Sequence, residues 1–221
     1  MHNYIMNIPV VINNRNLLTW TKAMLEKIKQ YEGVGEIVIV DNKSTYPPLL
    51  DWYNTNPCKI HRTTNLGHGG PWVSGIVESL KSEYYIVTDS DLGLDDTPND
   101  TILYLLDKLH YLDIDKIGLG LDWQRVTQGS RYYNHMQGYE RNRWQSSRIE
   151  QNVALDVPVD TTFALYKLNH YHIGGASTTH PYIARHYPWE YTPEEYNRNE
   201  EFKYYIEHAS HSCSYKSFLG L

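Results

Sequence analysis

Short apolar runs alternate with helix-like patterns through the first half of the chain. Runs of four or five apolar residues are typical of buried strands, and apolar residues three and four apart are typical of a helix with one buried face. The runs predict strands at 8–12, 37–40, 59–62, 84–87 and 117–121. The spacing predicts helices at 17–29, 44–53, 71–80 and 100–112. This alternation favours an α/β fold with a mainly parallel sheet and helices on both faces.

The second half of the chain is less regular. Residues 122–155 contain five arginines and no clear hydrophobic period, which predicts a long functional loop region. A buried strand is predicted at 159–166. Thr192 as a cap, Pro193 at the first helical position and Glu195 at the third predict a last helix that ends near residue 208. Because no repeat, linker or low-complexity tract interrupts the chain, we expect a single domain over residues 1–221.

Composition narrows the possible functions. The 221 residues are 41% apolar, which is enough for a buried core. The 20 Lys and Arg against 26 Asp and Glu give a net charge of −6, which argues against nucleic-acid binding but allows a nucleotide bridged by a metal ion. The 20 tyrosines and six tryptophans suit sugar rings, whose C–H faces stack on aromatic rings, and core packing explains them equally well.

Other features of the sequence predict a soluble cytoplasmic protein. Two cysteines, Cys58 and Cys213, cannot form a disulfide framework or a zinc cluster, which suits a reducing compartment. The N-terminus has no basic region followed by a long apolar stretch, and no 18 apolar residues run together. We therefore expect neither a secretory signal nor a transmembrane segment.

Polar residues stand directly after the apolar runs. In an open parallel sheet, ligands bind beyond the carboxyl ends of the strands, so these positions are the candidate site. They are Asn13-Asn14-Arg15, Asp41-Asn42, the glycine-rich loop Asn65–Gly70, and Asp89-Ser90-Asp91.

The D-x-D of Asp89 and Asp91 is the strongest chemical signal among them. Residues two apart in extended backbone point the same way, so both carboxylates are expected to face one site. Two such charges repel unless a cation compensates, and carboxylate oxygens suit Mg²⁺ or Mn²⁺. The alternative to a metal site is an ordinary turn without a ligand, since Asp and Ser are common turn residues.

These segments, in this order, resemble the nucleotide-binding half of GT-A glycosyltransferases, especially family 2 types. The segments are PVVINNRN, IVIVDNKST, TTNLGHGGPW and YYIVTDSDL. The second half resembles a narrower group with a V-D-T-T-F-A-L-Y strand, an A-R-H-x-P-W segment and a Glu-x-x-x-Trp element. They are matched by Val159–Tyr166, Ala184–Trp189, and Glu140 with Trp144.

The resemblance implies a metal-dependent transfer of a sugar from a nucleotide diphosphate donor to a glycan hydroxyl. A UDP-sugar is favoured over a GDP- or dTDP-sugar, and an inverting outcome over a retaining one. Residues 1–121 would form the nucleotide-sugar-binding half, and residues 122–221 the acceptor-binding and catalytic half. His68 and Glu190 depart from the family pattern, which leaves the sugar specificity open.

The resemblance also implies roles for individual residues. Base and ribose would be contacted by Asp41 and by Asn65, Gly67, His68 and Gly69 of the loop, with Asn13, Asn14 and Arg15 lining the base pocket. Asp89 and Ser90 would contact the donor. Asp89, Asp91 and His186 would bind the metal, Mn²⁺ or Mg²⁺.

An inverting transfer needs a base for the acceptor proton, and a carboxylate within hydrogen-bond reach suits this. Asp160 is the best candidate, in a strand expected to form the floor below the donor sugar, and Glu140 and Asp156 are alternatives. Asp160 would otherwise cap Thr161 or Thr162, or pair with an arginine. Stacking surfaces for a sugar, or parts of the core, are expected at Trp123, Trp144 and Trp189.

Two other functions fit the same pattern less well. One is a carbohydrate-binding module derived from a transferase, which the D-x-D and Asp160 argue against. The other is a sugar nucleotidyltransferase, which should have a glycine-rich loop with a basic residue directly after the first strand. Asn13-Asn14-Arg15-Asn16 contains no glycine.

Overall fold

Four parallel strands form the first part of the central sheet. The computed structural model describes residues 7–168 and 174–209. The four strands pair in the order β3-β2-β1-β4, and they are β1 (Ile8–Asn14), β2 (Val34–Asn42), β3 (Lys59–Thr63) and β4 (Tyr84–Asp89). Since they are parallel, their carboxyl ends meet at one edge of the sheet.

Shorter strands extend this sheet and build a second one. Within the described residues the central sheet has nine strands. Beyond β4 it continues in the order β10-β6-β11-β9-β8, with β10 antiparallel to both of its neighbours. Its added strands are β6 (Lys116–Gly118), β8 (Ile149–Glu150), β9 (Val153–Ala154), β10 (Ala164–Lys167) and β11 (Ala176–Thr178). A small sheet of order β5-β12-β7 joins β5 (Leu92–Gly93), β7 (Gly120–Leu121) and β12 (Ile183–His186).

Helices cover both faces of the central sheet. Alternate residues of a strand point to opposite sides, and because the central strands are apolar at successive positions, both faces of the sheet must be buried. Val10 and Ile12 pack in one core cluster with residues of three longer helices, α1 (Thr19–Ile28), α2 (Pro47–Tyr53) and α5 (Thr101–Tyr111). Val11 packs on the other face with two short helices, α3 (Gly70–Val73) and α4 (Ile76–Ser79). The predicted α/β class, with a mostly parallel sheet between helices, is confirmed.

The helix predicted at 71–80 is wrong as a single element. A 3₁₀ turn over Gly67–Gly69 leads into α3, and α4 begins only after a break at Gly75. Gly75 has a φ of 75°, the left-handed conformation that ends a helix and that glycine adopts without steric cost.

The loop predicted over 122–155 is also wrong. A 3₁₀ turn at Trp123–Arg125 is followed by a helical stretch of α6 (Tyr133–His135), a π-helical segment (Met136–Glu140) and α7 (Arg141–Ser146), and then by β8 and β9. A π turn shifts the helix face relative to the 3.6-residue period. The shift explains why the stretch shows no regular hydrophobic pattern.

The strand predicted at 159–166 begins later than expected. Val159 makes one isolated bridge to Gly174, and β10 starts only at Ala164. Thr161 O instead accepts a hydrogen bond from Asp89 N at 3.0 Å. Asp160 therefore lies on the segment before the strand, not in the strand.

Two other predicted elements are divided. The strand at 117–121 is split between β6 and β7, which lie in different sheets. The last helix is split into α9 (Pro193–Arg198) and α10 (Glu200–His208), which follow the short α8 (Tyr187–Glu190). The predicted cap of Thr192 and Glu195 is confirmed as a capping box, and Asn199 leaves helical geometry to cap α10.

Two further expectations concern cysteines and membranes. Cys58 is partly buried, and Cys213 lies outside the described residues. Within the ranges that the structure describes, no helix is both long and apolar enough to cross a membrane.

Candidate functional site

A chain of side-chain amides joins the carboxyl ends of the first four strands. Leu66 N, after β3, donates to Asn42 Oδ1 at 3.1 Å, and Asn42 Nδ2 donates to Asn13 Oδ1 at 2.6 Å. Asn13 Nδ2 then donates to Asp89 Oδ1 at 3.3 Å. The polar residues that follow separate strands in the sequence are thus one connected network.

This network forms one wall of a first cavity of about 440 Å³. The cavity brings together most of the predicted site residues: Asn13, Asn14, Arg15, Asn65, Gly67, His68, Asp89, Ser90, Asp91, Asp160 and His186. Ser90 is held by its hydroxyl, which donates to Asn14 Oδ1 at 2.8 Å.

Asp41 and Gly69 lie elsewhere than expected, since neither lines this cavity. Asp41 is 3% exposed, its Oδ1 accepts a hydrogen bond from Ser44 N at 3.2 Å, and burial raises its pKa. The hydrogen bond from Ser44 places the Asp41 carboxylate within the turn after β2, whereas the next residue, Asn42, lines the cavity. Gly69 is buried within the 3₁₀ turn.

The cavity also has lining residues to which the sequence assigned no contact there. They are Leu17, Thr161, Tyr205 and Ala209. Thr161 directly follows the predicted Asp160, so its position was detectable, and Asn42, which the sequence placed in the candidate site, lines the cavity as expected. Tyr205 and Ala209 were not detectable, because they reach the cavity through the packing of α10 against the start of α1, where Glu201 Oε1 accepts from Thr19 N at 2.9 Å.

Asp89 and Asp91 both face the first cavity, although β4 ends at Asp89 and a turn follows. Asp89 accepts hydrogen bonds from the Thr161 hydroxyl and from the Asn13 amide. Burial, and next the Asp91 carboxylate, raise the pKa of Asp89. Two acidic groups are therefore held close together at a cost in electrostatic energy that a bound cation would relieve.

His186 stands beside this acidic pair. Antiparallel pairing of β12 with β5 brings its Nε2 to 3.8 Å from Asp91 Oδ2, and its ring stacks on Trp189 with centroids 4.1 Å apart. Burial lowers the pKa of His186, which favours the neutral imidazole that binds metals.

Two carboxylates and a neutral imidazole are a donor set that fits Mn²⁺ or Mg²⁺. In the described part of the chain, no three His, Cys, Asp or Glu side chains are close enough to hold a metal ion by themselves. These cations are often bound through one or two carboxylates together with water and substrate phosphates. The residues present suit that incomplete type of site.

Arg15 contributes a positive charge to the first cavity. Its Nη2 donates to His208 O, at the end of α10, at 2.8 Å. Its Nε and Nη1 are buried and have no hydrogen-bond partner within the described residues. Such a guanidinium suits an anionic ligand.

A second cavity of about 350 Å³ adjoins the first. Asp89, Asp160, Thr161, His186 and Trp189 line both cavities. Asp160 is exposed where they meet, whereas Asp156 lines neither.

Glu140 and Trp144 line the second cavity only. Glu140 is 8% exposed, and its Oε1 accepts from Arg143 Nη1 at 3.0 Å. Arg143 Nη2 also donates to Pro158 O at 2.8 Å. The Glu140 carboxylate is thus neutralised by an arginine, which makes it a weaker candidate base than Asp160.

Two residues singled out in the sequence lie outside both cavities. Trp123 belongs to a core cluster with the C-terminal helices. Glu190 accepts three hydrogen bonds from Arg185. The distances are 3.0 Å for Nε–Oε1, 3.2 Å for Nε–Oε2 and 2.5 Å for Nη2–Oε2. Glu190, one of the two departures noted in the sequence, is therefore engaged in an ion pair with Arg185.

No protein-family model matches the sequence, and no curated protein sequence matches it. The chain is similar in fold to several solved structures. One is CMP:2-keto-3-deoxy-manno-octonic acid synthetase complexed with CTP, at 12% identity and a TM-score of 0.47 over 73% of this chain and 74% of that chain. Another is glucosyl-3-phosphoglycerate synthase from Mycobacterium tuberculosis with Mn²⁺, UDP-glucose and phosphoglyceric acid. It is 14% identical with a TM-score of 0.43, and the match covers 73% of this chain and 56% of the synthase.

Proposed function

We propose that this chain is a metal-dependent glycosyltransferase that moves a sugar from a UDP-sugar to a hydroxyl of a glycan, with inversion at the anomeric carbon. One observation supports this proposal above the others. Two adjoining cavities share a boundary that contains Asp89, His186 and the exposed Asp160. In a transfer between two substrates, the donor and the acceptor must meet at one point. Two adjoining cavities with acidic groups at their boundary provide such a point.

The first cavity is assigned to the nucleotide. Its amide network offers donors and acceptors that a base and a ribose can use, and Gly67, with a φ of 63°, lets backbone approach a ligand closely. Arg15, with its Nε and Nη1 buried, adds a partly buried positive charge for the phosphates.

The second cavity is assigned to sugar. Trp144 and Trp189 provide aromatic faces, and the paired Glu140 and Arg143 provide an acceptor and a donor for hydroxyls. This combination of stacking faces and polar edges is suited to a carbohydrate ring.

Asp89, Asp91 and His186 would hold the cation. When bound there, Mn²⁺ or Mg²⁺ supplies positive charge that stabilises the negative charge developing on the departing diphosphate. The stacking of His186 on Trp189 keeps the imidazole oriented toward the acidic pair.

Asp160 is assigned as the base. It takes the proton of the acceptor hydroxyl on a carboxylate oxygen while that hydroxyl attacks the anomeric carbon from the face opposite the diphosphate. Its exposed position between the two cavities gives it access to an acceptor.

Incubation with a panel of nucleotide sugars tests the proposal. We expect UDP release from one or more of UDP-glucose, UDP-galactose and UDP-N-acetylglucosamine, with mono- and disaccharides as acceptors, and we expect EDTA to abolish it. Pyrophosphate release from UTP or CTP with a sugar phosphate would instead establish a nucleotidyltransferase. Glycan binding in calorimetry, unaffected by UDP or Mn²⁺, would establish a binding module.

Gly70→Ala tests the role of the amide network. Gly70 has helical backbone angles, so alanine is acceptable to the backbone, but its Cβ would lie 2.9 Å from Asn42 Oδ1 and 3.0 Å from Asn13 Oδ1. We expect the Kd for UDP, measured by calorimetry, to rise about fivefold, because displaced amides lose roughly one hydrogen bond.

Gly138→Ala is the matched control, since a Cβ there meets no atom within 4 Å. It should bind UDP as the wild type does. An unchanged Kd in Gly70→Ala would mean that the network is not part of the nucleotide site.

A further inference from the structure

Asp160 lies on a segment whose backbone is held by its neighbours. Val159 N donates to Gly174 O at 3.0 Å, and Lys116 Nζ donates to Val159 O at 2.6 Å. Tyr166 OH donates to Asp160 O at 3.3 Å. The segment is outside regular strand structure, so these bonds replace the ladder that would otherwise fix it.

Lys116 is an unusual residue for its place. It is 2% exposed, in the middle of the central sheet, where an apolar side chain would avoid the cost of burying an ammonium. That cost is visible in its pKa, which burial lowers to about 8 against the opposing effect of Asp160. A residue kept at such a cost is expected to do something that an apolar one cannot do, and here it binds the carbonyl next to Asp160.

Lys116 and Tyr166 act from the same face of the sheet. They are directly paired across β6 and β10, and Lys116 Nζ lies 4.9 Å from the centroid of the Tyr166 ring. Tyr166 stacks on Tyr85, with centroids 5.2 Å apart and an interplanar angle of 5°, and meets the edge of Trp72. Both donors are therefore anchored in the core.

The space under the segment is tightly packed. A Cβ on Gly118 would lie 2.6 Å from Val159 Cγ2, so the side chain of Val159 occupies the space that a larger residue would need. Val159 is therefore fixed by the packing of its side chain as well as by the hydrogen bonds to its backbone.

We propose that Lys116 and Tyr166 are positioning residues, which fix the backbone of Val159–Asp160 so that the Asp160 carboxylate is held at the boundary of the two cavities. This inference rests on the proposed role of Asp160 as the base. It adds two residues, one of them more than 40 positions away, that touch neither substrate. A displaced base lowers the rate of the chemical step without weakening nucleotide binding.

Lys116→Met is the first test, because methionine keeps the length of the side chain and removes the donor. With the UDP-sugar that the wild type consumes, we expect kcat to fall roughly 100-fold, as for a catalytic group misplaced by about 1 Å. The KM for the donor and the Kd for UDP should stay within about twofold of wild type, since the nucleotide contacts are untouched. The Tm should stay within about 4 °C, because the lost bond is offset by the removal of a buried charge.

Tyr166→Phe is a second test that removes one hydroxyl only. We expect kcat to fall about fivefold, the equivalent of one hydrogen bond. Tyr85→Phe is the matched control, because it removes a hydroxyl from the same aromatic stack, and that hydroxyl accepts from Trp72 Nε1 at 2.9 Å. It should leave kcat unchanged. Equal kcat losses in the two variants would overturn the proposal.

The double variant Lys116→Met/Asp160→Asn separates this inference from the proposed function. Asp160→Asn is expected to keep a small residual kcat. If Lys116 acts through Asp160, the double variant should have the same residual kcat as Asp160→Asn alone. A further loss equal to that of Lys116→Met alone would overturn the positioning role and leave the base assignment intact. Wild-type kcat in Asp160→Asn would overturn both.

Discussion

Asp91→Asn is expected to lower UDP-sugar turnover roughly 100- to 1,000-fold, because a metal-binding carboxylate contributes several kcal/mol to charge stabilisation in the transition state. The Asp91 side chain is only 11% exposed, and its Oδ2 lies 3.8 Å from His186 Nε2, so asparagine keeps the shape and removes the charge. Turnover measured against Mn²⁺ concentration should show a higher Mn²⁺ requirement together with the lower maximal rate.

Asp51→Asn is the control for this experiment. Asp51 is exposed on α2 and lines neither cavity, so its substitution should leave both the rate and the Mn²⁺ requirement unchanged. Full Mn²⁺-dependent turnover in Asp91→Asn would remove the metal role of the acidic pair.

Stability of the metal-free protein gives an independent readout of the same pair. Because the pKa of Asp89 is raised in the folded state, ionising it costs more there than in the unfolded chain. In EDTA, the free energy of unfolding of the wild type should therefore decrease as the pH rises above the unfolded value of about 4. Asp91→Asn removes one cause of the raised pKa, so urea unfolding should show a smaller decrease.

Much of the fold was predictable where one pattern is unambiguous. β1, β2 and β4 each contain a continuous apolar run that is largely buried, and α1 and α5 keep one apolar face over ten or more residues. Strands of two to four residues, such as β5 and β12, are too short to show a period. The helical stretch after residue 132 was missed because its π-helical segment interrupts the pattern.

The site was predictable to the extent that it follows from strand ends. Asn13 and Asp89 meet because β1 and β4 are parallel neighbours in register, and the sequence already placed both after apolar runs. Contacts that depend on antiparallel register between distant segments were not predictable. The pairing of Lys116 with Tyr166 is one example. The closing of the cavity by α10 was not predictable either, because it depends on the packing of a helix against a distant part of the chain.

Asp160→Asn is expected to lower kcat roughly 100- to 10,000-fold, the range in which a positioned general base contributes to proton transfer. The Kd for UDP and the KM for the donor should change little, because the amide network and the acidic pair remain. This separation of kcat from binding is the signature of a group that acts in the chemical step. Steady-state rates with a saccharide acceptor, together with UDP calorimetry, measure both parts.

Asp156→Asn is the matched control, and it also tests the alternative base. Asp156 lies four residues before Asp160 and is also exposed to solvent, but it lines neither cavity and accepts a hydrogen bond from Arg148 N at 3.4 Å. It should keep wild-type kcat. A large kcat loss in Asp156→Asn, with wild-type kcat in Asp160→Asn, would transfer the role of base to Asp156 and require a different approach of the acceptor. Because Asp160 lines both cavities and Asp156 lines neither, we expect the opposite result.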